Sequence, residues 1–238
     1  MEQGLNINKV STDGWTPIFN ACFDGYIEVV KYLVEHGADI NKGNNNGATP
    51  LFVACGKGQI EVVKYLMEQG VDINKGNNNG ATSLYIACGN GHIEVVKYLV
   101  EHGADINKEA NGGATPLYIA CQNGHIEVIK YLVEQGVDIN KGNNNGITSL
   151  SIACFNGHIK VVKYLVEQGA DINKGNNNGA TPLYIACQNG YIEVVKYLVE
   201  QGTDINKGNN NDTTSLHIAC QNGHIEVVKY LNDCVINR

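Results

Sequence analysis

Apolar positions in this chain recur at helical spacing in short bursts, each ended by glycine. In the first burst Ile18, Ala21 and Cys22 fall at i, i+3 and i+4, which places them on one helix face. Thr16 stands where an N-cap belongs, and Pro17 at the first helical position, where its missing N–H costs nothing. Gly25 ends that helix. A second is expected from near Ile27, with Ile27, Val30, Leu33 and Val34 as its inner stripe. Glu28, Lys31 and Glu35 form an outer stripe, whose opposite charges at i+3 and i+4 add a few tenths of a kcal/mol per pair. Gly37 suits a left-handed C-cap, and the Asn- and Gly-rich stretch 39–47 suits a tight turn needing positive φ. Helices this short cannot bury a core alone, so the pairs are expected to stack.

The burst is one of a series. Cys22, Cys55, Cys88, Cys121, Cys154, Cys187 and Cys220 are spaced by 33 residues without exception, and Lys31, Tyr32 and Leu33 recur together through Lys229, Tyr230 and Leu231. A fixed period of this size marks a stacked repeat architecture. Seven units follow, 11–43, 44–76, 77–109, 110–142, 143–175, 176–208 and 209–238, after a partial unit at 1–10 in which Met1 aligns with Val34. The partial unit starts in mid-repeat, as would a trimmed older repeat or a piece of a longer array. From the second unit on, Thr-Pro starts (Pro50, Pro116, Pro182) alternate with Thr-Ser starts (Ser83, Ser149, Ser215), the mark of duplicated two-unit blocks. Polar Asn20 and Asn232 replace apolar residues in the end units, as capping repeats require.

Residues 115–140, Thr-Pro-Leu-Tyr-Ile-Ala-Cys-Gln-Asn-Gly-His-Ile-Glu-Val-Ile-Lys-Tyr-Leu-Val-Glu-Gln-Gly-Val-Asp-Ile-Asn, resemble the ankyrin repeat, and the likeness covers essentially the whole chain. The resemblance implies an all-α solenoid of helix–turn–helix units with β-hairpin finger loops and a concave face formed by fingers and first helices. It implies a non-catalytic protein-binding scaffold or adaptor; a structural spacer, or an ankyrin segment of a larger multidomain protein, is the alternative. In that family the Asn of the Asp-Ile-Asn ending is a target for hydroxylation, a place held here by Asn41, Asn74, Asn107, Asn140, Asn173 and Asn206.

Composition narrows the function classes. Seventeen Lys and Arg against 24 Asp and Glu give a net charge of −7, with the Lys residues spread evenly along the chain, which argues against a phosphate-binding groove and so against nucleic acid. No run of about 18 apolar residues exists for membrane insertion, and Met1–Val10 has no signal-peptide pattern, so the expected location is intracellular, cytosol or nucleus. No nucleophile–base–orienter order or phosphate-cradling loop is present, so neither an enzyme nor a small-molecule substrate is expected, and no cofactor. A monomer is expected.

The repeating cysteines read as small apolar filler, held one helix layer of roughly 10 Å apart and hence too distant to bridge. Cys followed four residues later by His (Cys88/His92, Cys121/His125, Cys154/His158, Cys220/His224) does not suggest zinc, because a glycine breaks the helix between them and four converging ligands are needed. Candidate protein-binding residues are the positions that vary. The position after Thr-Pro-Leu carries Phe19, Phe52, Tyr85, Tyr118, Ser151, Tyr184 and His217, readable as an inter-repeat packing ladder or as groove anchors. The first unit adds Trp15, Phe23 and Tyr26, an aromatic end that marks an interaction site or shields the stack. The fifth unit departs most, with Ile147, Ser151, Phe155 and Lys160; losing a ring at 151 and gaining one a helical turn later moves an aromatic rather than deleting it.

Overall fold

The structure, a computed structural model, describes residues 6–236; the first half of the partial unit, 1–5, lies outside the described residues, as do 237–238. It contains two compact units, 1–111 and 112–238. The first holds the helix pairs α1 (Pro17–Asp24) and α2 (Ile27–Glu35), α3 (Pro50–Gly56) and α4 (Ile60–Glu68), and α5 (Ser83–Asn90) and α6 (Ile93–Glu101). The second holds α7 (Pro116–Asn123) and α8 (Ile126–Glu134), α9 (Ser149–Phe155) and α10 (Ile159–Glu167), α11 (Pro182–Asn189) and α12 (Ile192–Glu200), and α13 (Ser215–Gln221) and α14 (Ile225–Ile236). In the first unit α3 packs between α1 and α5, and α4 between α2 and α6; in the second α7, α9, α11 and α13 form one layer and α8, α10, α12 and α14 the other.

Local sequence explains most of each pair. Thr49 Oγ1 accepts the Phe52 N–H at 3.2 Å, and Thr82, Thr115, Thr148, Thr181 and Thr214 cap their helices the same way. Thr16 departs from the expectation. The Phe19 N–H bonds the Thr16 carbonyl instead, at 3.0 Å, and the Thr16 hydroxyl is buried without a partner among the described residues. Gly25 ends α1 in the left-handed region at φ 77°, where a side chain would be strained.

The second helices correct the sequence reading. Their buried stripe in the inner repeats is Val62, Val63 and Leu66, repeated as Val95, Val96 and Leu99, whereas Ile27 and Val34 and their counterparts are mostly half-buried. α4, α10 and α12 each pack against two neighbouring second helices as well as against their own partner, so two adjacent valines point into two different interfaces. The outer stripe is as expected, with Glu28–Lys31 and Glu61–Lys64 ion pairs at 2.8 Å. Both are exposed, and surface pairs add little.

The fingers are tighter than hairpins. Asn44 N–H bonds the Ala48 carbonyl at 2.9 Å, Gly47 N–H bonds the Asn44 carbonyl at 2.8 Å, and Asn44 Oδ1 accepts from Asn46 and Ala48 N–H. That side chain takes the donors a ladder would use, so among the described residues the only bridge is Gly142 with Thr148. The turns are tied to each other by amides: Asn78 Nδ2 donates to the Asn45 carbonyl at 3.0 Å, and Asn210 to that of Asn177 at 3.0 Å.

The Asn of the Asp-Ile-Asn ending is a second tie. Asn140 Nδ2 donates to the Gly169 carbonyl at 3.4 Å, its Oδ1 accepts the Asp171 N–H at 2.8 Å, and its own carbonyl accepts from Lys174 Nζ at 2.8 Å. Replacing Asn140 by Ala removes both side-chain bonds at a solvent-facing site. Stability is expected to fall by about 1 kcal/mol, read as a lower urea midpoint at unchanged slope.

Candidate functional site

First helices and turns of the first unit enclose a groove pocket of about 310 Å³. α1 supplies Phe23 and the chain before it Trp15; α3 supplies Phe52, Val53 and Gly56, and its C-cap is Lys57; α5 supplies Ile86 and Asn90; the turns supply Asn44, Asn46, Ala48 and Asn77. Its floor is aromatic because helical spacing on α1 brings Phe19 and Phe23 onto one side, and Trp15, just before the helix, lies against both rings. The Trp15 ring lies 5.6 Å from Phe19 and 5.8 Å from Phe23, both tilted, a geometry that aromatic pairs favour. Phe19 is fully buried beneath, while Phe23 stays 38% exposed. Lys57 Nζ sits 4.1 Å over the Phe23 ring, a cation–π contact. Asn90 Nδ2 donates to the Gly56 carbonyl at 2.8 Å and Gln59 Nε2 to the Phe23 carbonyl at 3.1 Å, fixing the rim.

The pocket thus joins an apolar aromatic floor, an amide-bearing rim and one cation. Lys57 is its only charged lining residue, because the recurring Glu and Lys lie on the second helices and after the Asp-Ile-Asn endings. Two smaller depressions, at Gly58–Val95 and Gly190–Val227, are the same notch between successive repeats and distinguish no unit.

Of the positions singled out in the sequence, Trp15, Phe23 and Phe52 line the pocket and Phe19 supports it. Tyr85 is half-buried on α5 outside the lining, Tyr118 and Tyr184 are buried, and His217 is exposed, so the ladder serves packing more than display. Ser151 is buried and its hydroxyl accepts from Thr148 Oγ1 at 3.1 Å. Ile147 is half-buried and Lys160 exposed. Phe155 stands 50% exposed on α9, in the second unit. Tyr26 is exposed at the start of α2 and does not line the pocket. Lys57, Asn90 and the turn amides were missed. Lys57 had a signal, since the other units carry Asp24, Asn90, Asn123, Asn156, Asn189 and Asn222 in its place.

The cysteines and histidines are scaffold. Cys22, Cys55, Cys88, Cys121, Cys154 and Cys187 are buried free thiols, whereas Cys220 is exposed and Cys234 half-buried. The His residues after the glycine bond the preceding repeat: His92 Nε2–H donates to the Gly56 carbonyl at 3.1 Å and His158 to that of Gln122 at 3.0 Å. His36 and His102 instead donate from Nδ1 to the Tyr32 and Tyr98 carbonyls at 2.7 Å and stack on those rings. Among the described residues no group of three or more His, Cys, Asp or Glu converges as a metal site would require, and no helix is long and apolar enough to cross a membrane.

Stacked helix pairs joined by short turns, with a groove between first helices and turns, define a repeat protein of the interaction-scaffold class. The family pattern described as ankyrin repeats in three copies matches residues 1–77, 44–110, 70–143, 109–176, 138–209 and 174–238. The chain belongs to the ankyrin repeat family, with the all-α fold of that family. The crystal structure of the human ASB11 ankyrin repeat domain is similar at a TM-score of 0.83 and 27% identity, covering 91% of this chain and 98% of that one. A search of the curated proteins finds no match.

Proposed function

We propose that this protein is a scaffold or adaptor that holds a partner protein in the groove of its first unit, acting by binding rather than by catalysis inside the cell. The observation that carries the reading is the pocket of Trp15, Phe23 and Phe52 under Lys57. Rigid rings on a packed floor lose little entropy on contact, and such residues dominate binding energy at interfaces. A matching partner segment presents an aromatic or branched apolar side chain to the rings and a carboxylate to Lys57, with its backbone along the turn amides. Free thiols throughout the chain, two of them not buried, suit a reducing compartment.

The test compares binding to wild type, to Trp15→Ala with Lys57→Glu, and to Phe155→Ala with Lys160→Glu, each with unchanged circular dichroism. A protein captured from the source cell's lysate should bind the first variant at least about 30-fold more weakly, as loss of a hot spot of about 2 kcal/mol or more implies. It should bind the second as wild type does. Equal binding to all three would remove the groove from the account, and no specific capture at all would favour a spacer.

A further inference from the structure

Ten Asn-Gly steps run along the chain. Each is a chemically labile pair, because glycine leaves its amide nitrogen unhindered for attack on the asparagine side-chain carbon. That attack requires the nitrogen to lose its proton and to come within reach along the right line. A hydrogen bond from the same N–H opposes both. The fold binds nine of the ten glycine N–H groups. In the fingers Gly47 N–H bonds the Asn44 carbonyl at 2.8 Å, and Gly80, Gly146 and Gly179 repeat that bond at 2.8 Å. At the ends of first helices Gly91, Gly157, Gly190 and Gly223 bond the carbonyl three residues back, at 3.1 to 3.4 Å, and Gly124 bonds that of Ala120.

Gly112 is the exception, since among the described residues nothing accepts its N–H. The cause is one substitution in the finger of the fourth repeat. Asn44 and Asn143 use their Oδ1 to accept the N–H two residues on, from Asn46 and Asn145 at 3.0 Å. Ala110 stands in that place here and has no acceptor to offer Gly112. Gly112 is exposed at φ 87°, and a Cβ there would meet nothing within 4 Å, so there is room for a ring to close. At Gly47, Gly146 and Gly179 a Cβ would collide with an asparagine of the next finger. Asn111 is exposed too, and its Nδ2 donates to the Asn78 carbonyl at 3.3 Å, a longer bond than the 2.9 and 3.0 Å made by Asn45 and Asn78.

We propose that Asn111 is a site of spontaneous backbone modification, the one Asn-Gly step that the fold leaves free to convert. The Gly112 nitrogen gives its proton to water or hydroxide and bonds to the Asn111 side-chain carbon. The side-chain nitrogen leaves as ammonia, and a succinimide ring is closed. Water then adds to either ring carbonyl and breaks one carbon–nitrogen bond, with no change of oxidation state. One product is aspartate; the other is its β-linked isomer, in which the backbone runs through the side-chain carbon and is one carbon longer. Both carry a carboxylate in place of the amide, so neither can donate to the Asn78 carbonyl, and that tie between turns is lost. The β-linked product also bears a free α-carboxylate, the group that S-adenosylmethionine-dependent isoaspartyl methyltransferases esterify. Asn111 lies outside the pocket lining, so the change leaves the Trp15 pocket as it is.

The test holds the folded full chain at pH 8 and samples it over days. Peptide mapping by mass spectrometry follows each asparagine, and methylation by an isoaspartyl methyltransferase counts the β-linked residues. Asn111 should convert about tenfold faster than any of the other Asn-Gly asparagines, the rate difference that one hydrogen bond on the attacking nitrogen implies. In urea those bonds are gone, and all the Asn-Gly steps should convert at similar rates. Ala110→Asn restores the side-chain acceptor of the finger and should slow Asn111 to the rate of the others, with circular dichroism unchanged. Several steps converting together in the folded chain would overturn the proposal. So would an Asn111 that outpaces the rest in urea as well, or a rate that Ala110→Asn leaves unchanged.

Discussion

Raising the pH above 9 should unfold this protein over a narrow interval, because six repeats each bury a thiol. Burial pushes Cys22 and Cys187 up from the ordinary 9.0 to about 12, and pushes Cys55, Cys88, Cys121 and Cys154 up as well. The cause is desolvation of the thiolate in an apolar stack. The unfolded chain loses these protons from pH 9.0 upward and the folded chain keeps them, so above that pH the folded state binds more protons and its stability falls as pH rises. The thiol contribution is whole below 9.0 and is lost progressively toward about 12. Each thiol raises the unfolding constant as much as about tenfold per pH unit, and thiols unfolding in one cooperative block multiply their effects. Burial of Tyr85 acts in the same sense at higher pH.

Circular dichroism between pH 7 and 11 reads the transition, and Cys121→Ala, a small replacement in a small site, should make its pH dependence shallower by about one proton. Thiol labelling at pH 8 gives an independent reading, with Cys220 and Cys234 fast and the six buried thiols slow. Stability unchanged from pH 9 to 11, or rapid labelling of all eight, would contradict the burial argument.

Substituting two glycines with the same backbone conformation should give very different losses. Gly70 has φ 76° and a Cβ there would meet nothing within 4 Å, so Gly70→Ala carries only left-handed strain, about 1 kcal/mol. Gly58 has φ 71°, but its Cβ would stand 2.6 Å from His92 Nδ1. The imidazole would have to leave, breaking its bond to the Gly56 carbonyl, so Gly58→Ala should lose about 3 kcal/mol from strain and the lost bond together. In Gly58→Ala combined with His92→Ala the clash is absent, so the pair should lose less than the sum of the single substitutions. Urea unfolding of the four chains decides it; equal losses at Gly58 and Gly70 would mean that His92 yields without cost.

The aromatic first unit was legible as a candidate because Trp15 and Phe23 depart from repeats otherwise nearly alike. Lys57 was equally anomalous, yet its meaning depends on a ring in the preceding repeat, at Phe23; the 33-residue period puts the two positions in adjacent layers, but only the structure shows the ammonium lying over the ring. The aromatic ladder was readable as packing or display, and only burial separated Phe19 and Tyr118 from Phe52. Thr16 looked the same as Thr49 in sequence, and the Phe19 N–H decided otherwise by turning to a carbonyl.

The sequence by itself determined the period, the paired helices, their caps and the glycine stops, because these depend on contacts within a few residues and are stated again in each repeat. The tertiary structure alone decided which copy of a repeated residue is covered. Val29 and Val62 sit in the same Ile-Glu-Val-Val-Lys-Tyr-Leu sequence, yet one is 47% exposed and the other 1%. Local sequence sets the backbone and the direction of a side chain, but burial belongs to the neighbour that stacks upon it.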